Sequence, residues 1–287
     1  MIIIRLMAGL GNQMFQYALY RSFEAKGRDV FIDESWFSKF NAHNGIEIKR
    51  VFGVDYRTVD KKSANYLGYA DYSLLQRFWQ KYLPKKSYIA PDIAGSITFD
   101  SRIFQMKDVY LSGYWQSEKY FMGIKDEIRK AFTFNDKNEC DLAIKNLICS
   151  TESVAVHIRR GDYVNNKLHG NICGVQYYQN AIDFIREKIK APKFFVFSDD
   201  IEWCETNLNL VDAVMVRGNT GTNSYLDMFF MSLCKHNIIA NSTFSWWGAW
   251  LNANPYKKVV APSKWFNLSN SPVVDIIPTE WEIINCK

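Results

Sequence analysis

The chain has 287 residues, of which 48% are hydrophobic and 23% are charged, a composition typical of a soluble globular protein with one large or two ordinary domains. The formal net charge of +5 is modest and comes without a dense basic stripe, which argues against a nucleic-acid-binding protein. The aromatic content of 16% suits surfaces that stack on sugars or bases, and it suits a large core equally well.

The cysteines and the apolar runs bear on the cellular compartment. The six cysteines are scattered without a C-x-x-C pair, which argues against a zinc site and indicates reduced thiols. Met1–Arg5 is too short for a signal peptide, and no run approaches the roughly 18 apolar residues of a membrane-spanning helix. The sequence therefore predicts a cytoplasmic protein.

The first predicted elements have the order of a βαβ unit. An apolar run predicts a strand over Ile2–Leu6, and apolar residues at helical spacing predict a helix over Asn12–Lys26. A second strand is predicted at Val30–Asp33. This order is typical of an α/β fold.

A glycine-containing turn joins the first strand to the first helix. Gly9 and Gly11 occupy the position of a dinucleotide fingerprint whose third glycine is missing, and Asp33 lies where a ribose-binding acid would lie. The glycines permit close approach of a ligand to the backbone, and Asn12 and Gln13 would point their amides at it. A plain tight turn explains the same residues, so both interpretations stay open.

Residues 36–110 show no clean period, except in one basic and aromatic stretch. Leu74–Leu83 predicts an amphipathic helix, and Lys85 and Lys86 follow it. Such a helix either makes peripheral contact with the inner face of the plasma membrane or packs on its own domain. A further helix is predicted over Glu118–Phe132.

Strands and helices alternate regularly after a boundary that we place at residue 150. Strands are predicted at Ser153–Ile158, Lys193–Phe197, Ala213–Val216, Asn237–Ala240 and Val259-Val260. Helices are predicted at Tyr177–Lys190, Ser224–Lys235 and Asn241–Leu251. This alternation predicts a parallel sheet covered on both faces, and hence domains 1–150 and 151–287.

The run from His157 to Asp162 comes directly after the apolar run Val154–Val156 and lies where a buried strand should end. Ligands of open α/β sheets bind just beyond the carboxyl ends of strands. Arg159 or Arg160 offers a fixed fork of donors that suits phosphate, and Asp162 would hold one guanidinium in position. The run predicts a site for a phosphorylated ligand, with a salt-bridged strand end as the alternative.

Two further strand ends carry polar side chains. Asp199 binds ribose hydroxyls or a metal ion, or else Ser198 or Asp199 caps the following helix. The absence of any D-x-D sequence weakens the metal interpretation. The second run is a helix start rich in hydroxyls, which is typical of an anion site. It consists of Asn241, Ser242, Thr243, Phe244 and Ser245.

Asp227 lies beside the apolar stripe of its predicted helix. A carboxylate at such an edge needs a partner. It accepts two parallel donors, as from N1–H and N2–H₂ of guanine. A structural salt bridge is the alternative.

Three segments together resemble glycosyltransferase family 11, the α-1,2-fucosyltransferases, in its compact bacterial form. They are Gly9–Ala18, His157–Tyr163 and Leu226–Leu251, in the order of the family. The resemblance implies a GT-B-like fold of two Rossmann-type domains with parallel sheets, the first on the acceptor side and the second binding the donor. It implies GDP-L-fucose as donor, a galactose-terminated glycan, lipid-linked in one version, as acceptor, and no metal ion or other cofactor.

The resemblance also assigns roles to residues. It places Arg159 at the β-phosphate with His157 near the nucleotide, and it assigns guanine recognition to Asp227. Because the donor is β-linked and the product is an α-fucoside, the implied reaction is a single inverting displacement, in which Arg159 stabilises the leaving diphosphate. The other donor-binding residues would be Asp199, Asn241, Ser242, Thr243, Phe244 and Ser245, and the supporting residues Gly9, Gly11, Gln13, Arg160 and Asp162.

The catalytic base is left open at this point. His169 is one candidate, Asp33 and Glu34 are others, and a loose transition state needs little help from a base. Asn12 would orient the acceptor or the fucose. Two other functions stay open from the residues alone: an NAD-linked oxidoreductase, from the strand–Gly-x-Gly–helix opening, and a non-catalytic glycan-binding protein, from the aromatic content.

Overall fold

The structure is a computed structural model, and it describes residues 1–38, 40, 44–67, 88–91, 95–134, 141–208, 210, 212–268 and 275–286. The chain forms two units, Met1–Thr133 and Phe134–Lys287. Each unit contains one parallel sheet with helices, so the predicted fold class of two Rossmann-type α/β units is confirmed. The predicted amphipathic helix Leu74–Leu83 lies outside the described residues with Lys85 and Lys86, and its membrane contact stays a prediction.

The division between the units lies at Phe134, earlier than the boundary expected at residue 150. The ring of Phe134 stacks on that of Tyr225, with 6.4 Å between the ring centroids. Helix Leu142–Ser150 packs against helix Tyr225–Leu233. These apolar contacts assign the segment to the second unit, although its composition looks like that of a linker.

Four parallel strands form the sheet of the N-terminal unit, in the order β2-β1-β4-β3. They are β1 Ile2–Arg5, β2 Val30–Asp33, β3 Tyr88–Ile89 and β4 Val109–Leu111. The chain leaves β1 toward β2, on the side away from β4. This change of direction makes the carboxyl ends of β1 and β4 a topological switch point, where open α/β sheets bind ligands.

Helix Leu10–Ala25 confirms the helix predicted over Asn12–Lys26, whereas the helix predicted over Glu118–Phe132 is only partly present. Two 3-10 turns, Glu118–Tyr120 and Met122–Ile124, stand where the first half of a helix over Glu118–Phe132 was predicted, so that half is wrong. Phe121, between the turns, is buried with φ −132°, which interrupts the helical backbone. The helices are α1 Leu10–Ala25, α2 Glu47–Phe52, α3 Lys61–Tyr66 and α4 Lys125–Ala131.

Gln13 on α1 is a structural residue. Its Oε1 accepts hydrogen bonds from the backbone N–H groups of Glu47 at 2.9 Å and Ile48 at 3.1 Å, which begin α2. Its Nε2 donates to the carbonyls of Ala8 at 2.8 Å and Gly45 at 2.9 Å. The buried amide therefore satisfies four backbone groups and is not presented to a ligand, contrary to expectation.

Replacing Gln13 by leucine is expected to lower the free energy of unfolding by about 2–4 kcal/mol, because four backbone groups lose their partners. Urea denaturation of the purified protein measures this. The same change at exposed Gln105 is the control, with an expected effect within about 0.5 kcal/mol. Equal effects at the two sites would contradict the role of Gln13.

Six parallel strands form the sheet of the C-terminal unit, in the order β10-β9-β8-β5-β6-β7. They are β5 Ser153–Ile158, β6 Lys193–Ser198, β7 Val214–Met215, β8 His236–Ile238, β9 Val259–Pro262 and β10 Glu282–Ile284. All five predicted strands are confirmed. The edge strand β10 was not predicted because its residues are mostly exposed and show no apolar pattern.

The helices of the C-terminal unit alternate with these strands along the chain. They are α5 Leu142–Ser150, α6 Val175–Lys188, α7 Ile201–Asn207, α8 Tyr225–Leu233 and α9 Thr243–Leu251. All six residues of β5 are buried in the middle of the sheet. Within the described ranges, no helix is long and apolar enough to cross a membrane.

Candidate functional site

The predicted phosphate-binding run lies at the switch point of the C-terminal sheet. The strand β5 pairs with β6 on one side and with β8 on the other. The chain continues from β5 toward β6, so the carboxyl ends of β5 and β8 flank the position where such sheets bind ligands. His157 and Ile158 end β5, residues 159–163 follow it, and α9 begins shortly after β8.

Two carboxylates hold the guanidinium of Arg159. Its Nη2 lies 2.8 Å from Oδ1 of Asp162, and its Nη1 lies 2.9 Å from Oδ2 of Asp199. The guanidinium carbon lies 5.7 Å from the centre of the Tyr163 ring. The cation is thereby oriented, while one third of the side chain (33%) stays exposed.

Asp199 braces the turn that carries the arginines. Its Oδ1 accepts the backbone N–H of Arg160 at 2.8 Å, and its Oδ2 pairs with Arg159. Both oxygens are thus engaged by the turn, which differs from the ribose- or metal-binding role expected for this carboxylate. In the described part of the chain, no group of three or more His, Cys, Asp or Glu residues is arranged to hold a metal ion.

Gly161 leaves room for this carboxylate. A Cβ at Gly161 would lie 2.7 Å from Oδ2 of Asp199, closer than Cβ atoms approach other atoms. Gly161→Ala is therefore expected to displace Asp199 from Arg159 and to lower the rate of the reaction that the sequence resemblance implies by about tenfold or more, with little loss of thermal stability. Steady-state kinetics and a melting curve measure the two effects, and unchanged kinetics would contradict the role of Asp199.

The side chain of Arg160 contacts α7 and the residue that caps it, whereas that of Arg159 pairs with Asp162 and Asp199. Its Nε lies 2.9 Å from Oδ2 of Asp200, and its guanidinium carbon lies 4.1 Å from the centre of the Trp203 ring. Asp200 also caps α7, because its Oδ1 accepts the backbone N–H of Trp203 at 3.1 Å. These contacts make Arg160 a brace between the turn and the helix.

His157 is a buried, neutral imidazole. Burial, aided by the charge of Arg159, lowers the pKa of His157 to about 3. Its ring centroid lies 5.8 Å from that of Phe244 on α9. Its Nδ1 has no hydrogen-bond partner in the described structure. The side chain therefore contributes an uncharged polar atom between β5 and α9.

The hydroxyls at the start of α9 have different tasks. The Oγ of Ser242 caps the helix by accepting the backbone N–H of Phe244 at 3.3 Å. The Oγ of Ser245 is buried and donates to the carbonyl of Ser242 at 3.2 Å. Thr243 is partly exposed, whereas Ser242 and Ser245 are buried. The hydroxyl of Thr243 is therefore the most accessible of the three.

Asn241, expected at the donor, connects loops beneath the site. Its Nδ2 donates to the carbonyls of His169 and Trp265, both at 3.1 Å, and its Oδ1 accepts the thiol of Cys173 at 3.5 Å. Its own carbonyl accepts the hydroxyl of Tyr163 at 3.3 Å. A buried side chain so engaged positions backbone, and sequence offered no signal for these partners.

His169, a candidate base, lies in an aromatic environment. Its ring stacks on Tyr163 with 4.9 Å between centroids and meets the edge of Phe266 at 5.1 Å. Burial lowers the pKa of His169, which favours the neutral imidazole and makes it a weaker base. Its Nδ1 has no hydrogen-bond partner among the described residues.

The other candidate bases are occupied. Asp33 accepts hydrogen bonds from the backbone N–H of Ser35 at 2.9 Å and from the hydroxyl of Tyr110. Glu34 accepts the hydroxyl of Tyr56 at 2.8 Å. Carboxylates engaged in this way stabilise the N-terminal unit and are poor candidates for proton abstraction.

Asp227, in the first turn of α8, has one polar partner that sequence analysis missed. The Nδ2 of Asn219 donates to Oδ1 of Asp227 at 2.8 Å. Burial raises the pKa of Asp227 to about 7. Its second oxygen is a candidate acceptor for a ligand, and Asn219 orients the carboxylate.

The start of α1 carries the remaining predicted residues. Gly9 precedes the helix with φ −76°, and Gly11 is buried in the first turn. Asn12 is partly exposed, and its Oδ1 accepts Nε2 of Gln116 at 2.8 Å. Gln116 was missed by sequence analysis because nothing local links it to a residue so distant in the chain.

A family model decides between the functions left open by the residues. The model of glycosyl transferase family 11 matches residues 1–285. The chain belongs to this family. The resemblance seen in three segments is therefore confirmed, and the protein is a glycosyltransferase rather than an NAD-linked oxidoreductase or a non-catalytic glycan-binding protein.

Relatives of this family-11 glycosyltransferase match along most of their own length. An α-1,2-colitosyltransferase of Escherichia coli is 33% identical over 98% of this chain and 97% of its own. The O-antigen biosynthesis glycosyltransferase WbnK of Escherichia coli is 36% identical over 92% of this chain and 95% of its own. Galactoside α-(1,2)-fucosyltransferase 2 of Oryctolagus cuniculus is 25% identical over 97% of this chain and 75% of its own.

Proposed function

We propose that the protein transfers L-fucose from GDP-β-L-fucose to the 2-hydroxyl of a terminal β-galactoside, with inversion, to give an α-1,2-fucosylated glycan. The observation that carries this proposal is Arg159, a guanidinium oriented by two carboxylates at the switch point of the C-terminal sheet. The names of the relatives, an α-1,2-colitosyltransferase and an α-(1,2)-fucosyltransferase among them, support the linkage and the sugar class.

The proposed chemistry follows from where charge develops. In a single displacement the sugar becomes cation-like and the leaving diphosphate gains negative charge. A guanidinium fixed before the reaction stabilises that charge without reorganisation. The start of α9 adds the positive end of a helix dipole. The proposed reaction uses no metal ion, since these groups supply the positive charge.

Diphosphate binding must compete with the carboxylates that now pair with Arg159. Asp162 is the more exposed of the two, at 54% against 26% for Asp199. A phosphate oxygen therefore displaces Asp162 more readily. Asp199 then keeps the guanidinium oriented, because it also holds the backbone of the arginine turn.

Incubation with GDP-fucose and a β-galactoside such as lactose tests the proposal. The expected result is release of GDP and an α-1,2 linkage in the product, seen by NMR, in the presence of EDTA as in its absence. Lack of transfer to every galactoside, together with lack of GDP-fucose binding, would refute it.

A second donor is favoured by one observation, the colitosyltransferase among the relatives. Colitose is fucose without its 3-hydroxyl, so a site that holds fucose also has room for colitose. A comparison of kcat/KM for the two GDP-sugars with one galactoside separates the candidates. A clear preference for GDP-colitose would replace the donor and keep the site.

A further inference from the structure

A second candidate crevice lies at the switch point of the N-terminal sheet, between residues 6–12, which follow β1 and include the first turn of α1, and the loop of residues 112–116 after β4. The two segments are tied together by Gln16, which is fully buried on α1. Its Oε1 accepts the backbone N–H of Met7 at 2.9 Å, and its Nε2 donates to the carbonyl of Gly113 at 3.1 Å. The fold therefore fixes the two segments next to each other at the carboxyl ends of β1 and β4, where open α/β sheets bind ligands.

One side-chain carbonyl in the crevice is buried without a partner. Gln116 is 5% exposed, and its Nε2 donates to Oδ1 of Asn12 in the first turn of α1 at 2.8 Å. Its Oε1 has no hydrogen-bond partner among the described residues. Buried polar atoms of this kind are rare in folded proteins because the lost hydration is not replaced.

The neighbouring residue shows the same feature together with backbone strain. Trp115 is 2% exposed, and its indole Nε1 has no hydrogen-bond partner in the described structure. Its φ is +53°, a left-handed conformation that bulky residues rarely adopt. The ring meets the edge of Tyr120 at 5.7 Å, which fixes its orientation. Strain of this kind is typical of ligand sites.

We propose that this crevice binds the acceptor carbohydrate and that Gln116 and Trp115 recognise its hydroxyl groups. A hydroxyl donates one hydrogen bond and accepts others, so it satisfies the carbonyl of Gln116 and the indole N–H of Trp115 alike. Neither side chain is charged, which suits a neutral sugar better than a phosphate. Asn12 positions Gln116. This inference rests on the glycosyl transfer proposed above.

Single-hydroxyl analogues of the acceptor test the inference. The wild-type enzyme and Gln116→Met are assayed with GDP-fucose and with methyl β-galactoside or its 3-, 4- and 6-deoxy analogues. For wild type, kcat/KM is expected to fall about tenfold or more for one analogue, since the site then keeps an unpaired polar group. In Gln116→Met, that penalty is expected to disappear, because parent and analogue lose the same hydrogen bond.

The controls separate recognition from folding. Gln105→Met, the same change at an exposed position of this unit, should retain the wild-type penalty. If Gln116→Met fails to fold, the same assay is run on Trp115→Phe, which replaces the indole, and with it the N–H donor, by a phenyl ring. The KM for GDP-fucose should stay unchanged in the variants, which a general loss of structure would not leave intact.

The outcomes are distinguishable from failure of the proposed function. A penalty that persists in full in the variants, or its absence in wild type, would overturn the inference while fucose transfer itself stands. If wild type transfers fucose to no galactoside, the proposed function fails, and the crevice is judged by saturation-transfer NMR with methyl β-galactoside. A signal that is lost in Gln116→Met supports the inference, and an equal signal or none overturns it.

Discussion

Arg159→Ala is expected to lower kcat/KM for GDP-fucose by about 10²–10³-fold, with most of the loss in kcat. The guanidinium is the cation that the structure orients at the switch point, and its charge matters most when the diphosphate leaves. The loss should therefore exceed the effect on GDP binding. Steady-state kinetics with GDP release as the readout, and titration calorimetry with GDP, measure the two quantities.

Two arginine variants control for this result. Arg160→Ala should cost less, because Arg160 is committed to Asp200 and Trp203 and reaches the site only through the turn. Arg186→Ala, on the surface of α6, should leave the kinetics unchanged. A loss for Arg160→Ala as large as that for Arg159→Ala would contradict the ranking of the two.

The parts of the site that sequence analysis could locate are those set by local pattern. The buried run Ser153–Ile158 predicts its own strand, and polar residues just beyond it must lie at the carboxyl edge of the sheet. The capping residue Ser242 likewise predicts the start of α9. Position along the chain and strand order therefore place Arg159 and α9 at neighbouring strand ends.

What could not be predicted depends on contacts between distant residues. Whether Asp199 faces a ligand or the arginine turn is decided by residues about forty positions earlier, and sequence shows no trace of that pairing. The sequence suggested that Asn241 binds a ligand, yet its amide donates hydrogen bonds to the carbonyls of His169 and Trp265. Amide side chains serve backbone and ligands equally well, so only geometry separates the two roles.

The same argument explains Gln13 and Gln116 in the N-terminal unit. Both are buried amides, but the partners of Gln13 are four backbone groups, whereas one oxygen of Gln116 has none in the described structure. The three segments that carry the family resemblance contain Gln13 and not Gln116. A motif residue is therefore structural here, and a residue outside the motif is the candidate for recognition.

The pH dependence of donor binding provides the second large effect. Burial raises the pKa of Asp227 to about 7, and only the ionised carboxylate accepts both N1–H and N2–H₂ of guanine. The KM for GDP-fucose is expected to rise as the pH falls through 7. Asp227→Asn should raise KM by about 10²-fold at pH 8 and abolish this pH dependence.

The stability of the ligand-free protein should respond to pH with the opposite sign. Because the folded-state pKa of Asp227 lies above the ordinary value of 3.8 for this side chain, the folded protein holds the proton more tightly than the unfolded chain. The resulting stabilisation is complete below pH 4 and is lost as the pH rises to about 7. Asp227→Asn should therefore raise the melting temperature at pH 8 relative to wild type and change it little at pH 4.

Two comparisons separate guanine recognition from a general effect on the fold. Wild type should prefer GDP over inosine diphosphate, which lacks the N2 amine, and Asp227→Asn should lose that preference, whereas Asp183→Asn on the surface should keep it. Asn219→Ala removes the hydrogen bond that favours the ionised form of Asp227, so the midpoint of the KM profile should move to higher pH. A downward shift, or an unchanged preference for GDP in Asp227→Asn, would mean that another group recognises the base.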